Sequence, residues 1–379
     1  MRELDVFVYL AGDSNLMGLS DKARNLFSSI SSLECPLRCA LIVEWDSLSY
    51  QLSECGATSF CASGRERKLE SLGVKNSASP ETLFRFLLEG ISNYPARRTV
   101  LILMGHSDGF LGLCCDDTSN DEMKISSLAS VLKEFAERTG KTIDVVVFDS
   151  CWMAMIEVVH ELSECCSMIL ASQDEVLYEG IPVREIILDL FNMAERGDVE
   201  ACDIACSMLR TIASSPSSED KGTLNFVTPQ FSVLMPSRSM ALKDDFASMC
   251  REISLLDRCN LREIYRIQSI LWHSGNYSVK SEPYLFFCDL RHFCECVIDS
   301  SKLPFSLKIT ASALASRLEE FVIGTARQGS LTSMSRGLSF FFPTASYADD
   351  DVLACYSALK WPCQSGWIDL LNVFRKGCS

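Results

Sequence analysis

The sequence predicts an α/β protein in which a mainly parallel sheet lies between two layers of helices. Three observations carry that expectation. Five apolar runs mark the first half: Leu4 to Leu10, Cys39 to Trp45, Thr99 to Met104, Ile143 to Phe148 and Ser167 to Ser172. They are nearly continuous in Val, Ile and Leu rather than alternating, as strands buried on both faces must be. Helical patterns lie between them, and strand–helix alternation is the mark of a three-layer sandwich.

The elements follow in order. The first run carries one early Arg and two nearby acids and ends in turn residues. It lacks the longer apolar core and small-residue cleavage site of a secretory signal, so it enters the fold as a first strand. Leu16 to Ile30 follows as a helix, with Asp13, Ser14 or Asn15 available as its cap. Pro80 to Leu88 opens a second helix, proline being favoured in a first turn. After Cys151, residues Met155, Val158, Val159 and Leu162 fall at i, i+3, i+4 and i+7, one apolar face. His160 then sits among Glu157, Glu161 and Glu164 on the polar face. Leu113 to Lys124 reads as an acidic loop, and Ser214 to Gly222 is the most Ser/Pro-rich stretch. Residues 1–213 are expected to form a core, 214–228 a linker or loop, and 229–379 a mixed C-terminal α/β portion packed on that core. The last portion shows a helix over Ser306 to Ile323 and strands at Phe231–Pro236 and Leu338–Pro343.

Composition narrows the function. The 379 residues carry 35 Lys+Arg against 50 Asp+Glu, a net charge of −15. That argues against a nucleic-acid partner, which needs concentrated positive charge, and is compatible with a basic substrate. No run approaches the ~20 apolar residues of a membrane span. The 19 cysteines include no C-x-x-C, so no zinc site is expected. They read as buried small hydrophobes in a reducing compartment, hence a cytoplasmic protein or one exported without a cleaved signal. No glycine-rich nucleotide loop is present.

Two segments carry chemistry. In Val100 to Phe110, Gly105-His106-Ser107-Asp108-Gly109 satisfies G-x-S-x-G, the elbow that presents a nucleophilic serine. An elbow must turn from a strand directly into a helix, and the Gly109, Gly112 and acidic-loop residues that follow have no helical period. His160, His273 and His292 could formally complete a serine triad, each in unremarkable context. The alternative nucleophile is Cys151, which follows the apolar run ending at Phe148. It reaches the carboxyl edge of a parallel sheet, where α/β folds place their sites. A helix start just beyond it would favour thiolate. His106 ends another strand at that edge, 45 residues upstream. If the two strands are neighbours, the pair forms a Cys/His dyad.

The segments around His106 and Cys151, "MGHSDGF" and "FDSCWMAMIEV", resemble the His and Cys motifs of the clostripain-like (C11) cysteine peptidases of the caspase/legumain/gingipain clan. "VFVYLAGDSNL", "ASQDEVLYEGIP", "YLFFCDL", "GLSFFFP" and "SGWIDLL" resemble further family landmarks in order, from about Val6 to Leu371. The resemblance implies a caspase-like α/β/α sandwich and a cysteine endopeptidase acting on protein or peptide substrates. Cys151 would be the nucleophile and His106 its proton-transferring partner. The Cys151 N–H and the turn from Gly105 to Gly109 would supply oxyanion donors, and Ser107 becomes a turn residue. Cleavage after Arg or Lys is implied, with Asp149 as an S1 acid and Glu179 as a second; Asp174 and Glu175 are nearby alternatives. Self-cleavage of a zymogen is implied between the two motifs, with Lys124 better placed than Arg138 or Lys141. No cofactor is required, though some relatives need calcium, for which Asp116, Asp117 and Asp121 are available. Two departures stand out: the missing signal peptide, and Trp152 where the family has Leu, large enough to reshape the pocket. A caspase-like binding module without catalysis is the second reading, and a Ser107 hydrolase the third.

Overall fold

Val6, Val8 and Leu10 face one side of the first strand, Phe7 and Tyr9 the other, and both sides are covered. The computed structural model describes residues 1–14, 18–47, 56–176, 180–197, 199–215, 230–274, 287–327, 335–343 and 350–377. The first strand, β1 (Arg2–Gly12), lies inside a sheet with β2 (Cys39–Ser47), β3 (Ala57–Ser63), β4 (Glu66–Gly73) and β5 (Ala96–Met104). After a small ribbon of β6 (Leu113–Asp116) and β7 (Asp121–Met123) come β8 (Ile143–Asp149), β9 (Cys166–Ser172) and β10 (Gln230–Leu234). Beyond β11 (Phe287–Asp289), β12 (Val322–Arg327) completes the sheet. The order is β12-β10-β9-β8-β5-β1-β2-β3-β4. The five central strands, β9 to β2, are parallel and correspond to the five apolar runs; the outer pairs are antiparallel.

Helices α1 (Leu19–Ser31), α5 (Val183–Arg196) and α6 (Ala201–Ser214) cover one face with Ala23, Ile30, Ile186, Leu190, Ile204 and Met208. The other face carries α2 (Pro80–Asn93), α3 (Ile125–Thr139) and α4 (Ile156–Glu161). This is the three-layer sandwich that the sequence predicts.

Several expectations are corrected. Helix α1 begins after Gly18, in the left-handed region at φ 86°, with no side-chain cap from Asp13 or Ser14; Asn15 lies outside the described residues. Part of the acidic loop is the β6–β7 ribbon. Strands β3 and β4 left no signal because β4, Glu66–Gly73, is an exposed charged edge with almost no buried position, the protection an edge strand needs. The helix expected to Ile323 is α10 (Phe305–Phe321), and Val322 onward turns into β12.

Helix α4 is the largest departure. It is buried all round, and its polar side is the seat of the C-terminal portion. Glu157 accepts hydrogen bonds from the Phe341 N–H (2.9 Å) and the Tyr356 hydroxyl (2.8 Å). His160 pairs with Ser239 Oγ and Gln364 Oε1, each at 3.1 Å. Glu161 accepts from the Lys360 N–H and pairs with its ammonium. The covering elements include α7 (Ser239–Ser254), α11 (Asp350–Ser357) and α12 (Lys360–Ser365), with β13 (Ser339–Phe341). Glu157, His160 and Glu161 each thus find hydrogen-bond partners across the interface, as burial demands. The segment 229–379 also donates β10 and β12 to the main sheet. Most of the 214–228 stretch, from residue 216 on, lies outside the described residues.

Candidate active site

Strands β5 and β8 are parallel neighbours, and Met104 is in register with Asp149. His106 and Cys151 each follow two residues later, so they leave the sheet edge at equivalent positions on adjacent strands, whose spacing is about 5 Å. Two buried serines tie the loops together. Ser107 Oγ donates to the Cys151 carbonyl at 2.7 Å, and Ser150 Oγ donates to the Gly105 carbonyl at 3.0 Å.

Ser107 is fully buried. After it comes only a single 3-10 turn, Gly109–Leu111, and no α-helix: Ser107 bridges back to Leu113, and the Asp108 N–H donates to the Gly112 carbonyl at 3.1 Å. The nucleophile elbow is therefore absent, and Ser107 is more than a turn residue: its hydroxyl holds the cysteine loop. Gly105 packs against Ala11 and Cys114, where a Cβ would lie 3.2 Å from each. Gly109 sits at φ +60° with Met155 and Phe287 pressed upon it. Gly109 is thus held to glycine by its conformation and packing, while Gly105 sits in a tight fit.

Cys151 is half-buried, and its Sγ accepts the Val176 N–H at 3.3 Å. Burial pushes its thiol up to about 11; the Val176 N–H and Lys22 pull the other way, while Glu175 and Asp149 add to the rise. The expected help from a helix start is missing, because α4 begins only at Ile156. Trp152, next in the chain, adopts a left-handed φ of 55°, a conformation costing about 1–2 kcal/mol outside glycine. Its N–H donates to the Asp174 carbonyl at 3.1 Å, and the Ala154 N–H to that of Ser172 at 2.8 Å. The loop is thus pinned to the end of β9. The Trp152 ring faces the core against Phe287, with centroids 6.0 Å apart, rather than a substrate pocket. His106 is partly exposed, and its Nε2 lies 3.6 Å from Asp108 Oδ1, longer than a hydrogen bond.

Asp149 is fully buried, and its partners are specific. Its Oδ1 accepts the Ile181 N–H at 3.0 Å, and its Oδ2 lies 3.0 Å from the Lys22 ammonium of α1. Lys22 was not singled out in the sequence; its place in the first turn after β1, on the same carboxyl edge, was the available signal. Glu179 lies outside the described residues. Asp174, the nearby alternative acid, is buried, and desolvation with the neighbouring Asp289 pushes its carboxyl up to about 8.

Lys124 is exposed where β7 meets α3, its ammonium bound to the Leu111 carbonyl (3.2 Å) and Glu122 (2.8 Å), with Met123 and Ile125 buried on either side. The acids offered for calcium do not converge. Asp121 accepts from Asn76, and Asp116 from Ser77 and Ser119. Asp116 instead shares a buried cluster with Asp13 and Asp46. These three carboxylates carry six oxygens, of which both on Asp116 already accept N–H bonds.

Known proteins bear on this arrangement. The sequence profile of the clostripain family, Peptidase C11, matches residues 66–374. No curated protein matches by sequence. Among solved structures, an inactive zymogen C11 protease from Parabacteroides distasonis is similar at TM-score 0.67 and 20% identity, over 96% of this chain and 98% of that one. A secreted C11 cysteine protease from Bacteroides thetaiotaomicron, in complex with an irreversible peptide inhibitor, is similar at TM-score 0.67 and 18% identity, over 97% of this chain and 100% of that one. These likenesses show the caspase-like fold, and the profile covers most of the sequence. The chain belongs to the clostripain family of cysteine proteases.

Proposed function

We propose that the chain is an endopeptidase that cleaves after basic residues through a Cys151/His106 dyad. The observation that supports the reading is the Met104–Asp149 register, from which His106 and Cys151 each follow two residues past the ends of neighbouring strands. His106 takes the proton of the Cys151 thiol as Sγ attacks the substrate carbonyl. The tetrahedral oxyanion accepts hydrogen bonds from the Cys151 N–H and from the turn Gly105–Gly109. The C–N bond breaks as the imidazolium gives its proton to the leaving amine, leaving a thioester. Water, deprotonated by His106, then attacks the thioester and releases the acid and the thiol. The raised thiol pKa makes this proton removal part of the reaction, since little thiolate stands ready at neutral pH.

Basic P1 specificity is supported by Asp149, a buried carboxylate two residues before the nucleophile that already neutralises an ammonium on a four-carbon stem. Glu179 is proposed as a second acid of that pocket. Self-processing is proposed at Lys124, the exposed basic residue between the two motifs that precedes rather than interrupts α3. A reducing compartment is favoured because the described cysteines are free, although the relative from Bacteroides thetaiotaomicron is secreted.

Peptides differing only at P1, as Arg, Lys, norleucine or Asp, test the specificity. Faster turnover of Arg or Lys supports it, and equal turnover of norleucine removes it.

A further inference from the structure

The acid assigned to S1 is not open. Asp149 is fully buried, with one oxygen held by the Ile181 N–H and the other by Lys22, whose own side chain is 12% exposed. The chain is moulded around that pair: Gly180 takes a left-handed φ of +68°, and a Cβ there would collide with the Lys22 ammonium and both Asp149 oxygens. One carboxylate therefore faces one ammonium in a space cut for a single cation. A second cation entering beside Lys22 would meet a neutralised pair and a like charge, an arrangement burial penalises heavily.

We propose that Lys22 is an internal occupant of the P1 pocket, which a basic substrate side chain must displace to reach Asp149. The inference rests on Asp149 being the S1 acid. Lys22 suits the part chemically. Its stem copies that of a P1 lysine, and its four rotatable bonds and compact ammonium let it withdraw to solvent without moving α1. Arginine, which can engage a carboxylate through two parallel N–H bonds, has the geometry to outcompete it. The device makes basic specificity a competition: Lys22 keeps Asp149 paired while the site is empty and raises the KM of every basic substrate.

Two experiments test this. In steady-state kinetics, Lys22→Met lowers KM for a P1-Arg peptide about tenfold, with kcat within about twofold and a P1-norleucine peptide unaffected. An unchanged or raised KM for the Arg peptide, in a variant still folded at the assay temperature, overturns the proposal. Because the substitution orphans a buried carboxylate, the second experiment uses wild-type protein. The enzyme is alkylated with a peptidyl chloromethyl ketone bearing P1 Arg, or with its norleucine counterpart, and its amines are then acetylated and mapped by mass spectrometry. Lys22 acetylates at least fivefold faster in the Arg adduct than in the norleucine adduct or the free enzyme. An Arg adduct on Cys151 that leaves Lys22 as protected as before defeats this proposal alone. Failure of the Arg reagent to reach Cys151 takes down the dyad and this inference with it.

Discussion

Ser107 Oγ donates to the carbonyl of Cys151 at 2.7 Å, so the histidine and cysteine loops are one hydrogen-bonded unit. The serine that satisfies G-x-S-x-G is buried, and its hydroxyl holds the backbone of Cys151, the proposed nucleophile.

Ser107→Ala is therefore predicted to weaken the enzyme rather than silence it. Losing one buried hydrogen bond costs about 1 kcal/mol, and a loosened cysteine loop lowers kcat/KM about tenfold. Kinetics on a P1-Arg peptide, paired with a melting curve, measures both. A loss as deep as that of a nucleophile variant would contradict the positioning role.

Asp149→Asn is predicted to cost both specificity and stability. It removes the buried carboxylate that holds the Lys22 ammonium in the fold, and losing that charged hydrogen bond while the ammonium retreats to solvent costs about 1.5–3 kcal/mol. The Arg-over-norleucine preference collapses and the melting temperature drops. The double variant Lys22→Met/Asp149→Asn regains much of the stability and none of the preference.

Stability is predicted to fall as pH rises from about 5 to about 8. Glu157 ionises in the fold at about 7 against an ordinary 4.5, because burial opposes its charge. The folded chain keeps a proton that the unfolded chain has lost, so this contribution is complete below pH 4.5 and lost as pH climbs through about 7. Asp5 and Asp174, each raised to about 8 by burial, act in the same direction. Glu157→Gln flattens the decline without abolishing it, and melting temperatures taken across that range check the slope.

Lys124 is predicted to yield a new terminus at Ile125 when concentrated enzyme is incubated, and Lys124→Ala to prevent it. Met123 and Ile125 are buried, so cleavage requires the β7–α3 junction to open first. It is accordingly faster in mild denaturant, as read by N-terminal sequencing.

The five parallel strands were legible because burial on both faces writes itself as unbroken apolar runs. That His106 and Cys151 leave adjacent strands at equivalent positions was legible for the same reason: each follows such a run. What the sequence concealed were long-range partnerships. Glu157, His160 and Glu161 look like a solvated helix face until Phe341, Tyr356, Ser239, Gln364 and Lys360 arrive from the C-terminal portion. Lys22 looks like any surface lysine, because nothing local shows that it meets Asp149, 127 positions later in the chain. The delayed start of α4 was hidden too, since Trp152 to Met155 are as apolar as the helix that follows.

The most direct measurement compares wild type, Cys151→Ala and Ser107→Ala on a fluorogenic P1-Arg peptide. The account predicts that Cys151→Ala lowers kcat/KM by about three orders of magnitude or more, while Ser107→Ala keeps measurable turnover. Full activity in Cys151→Ala would contradict it.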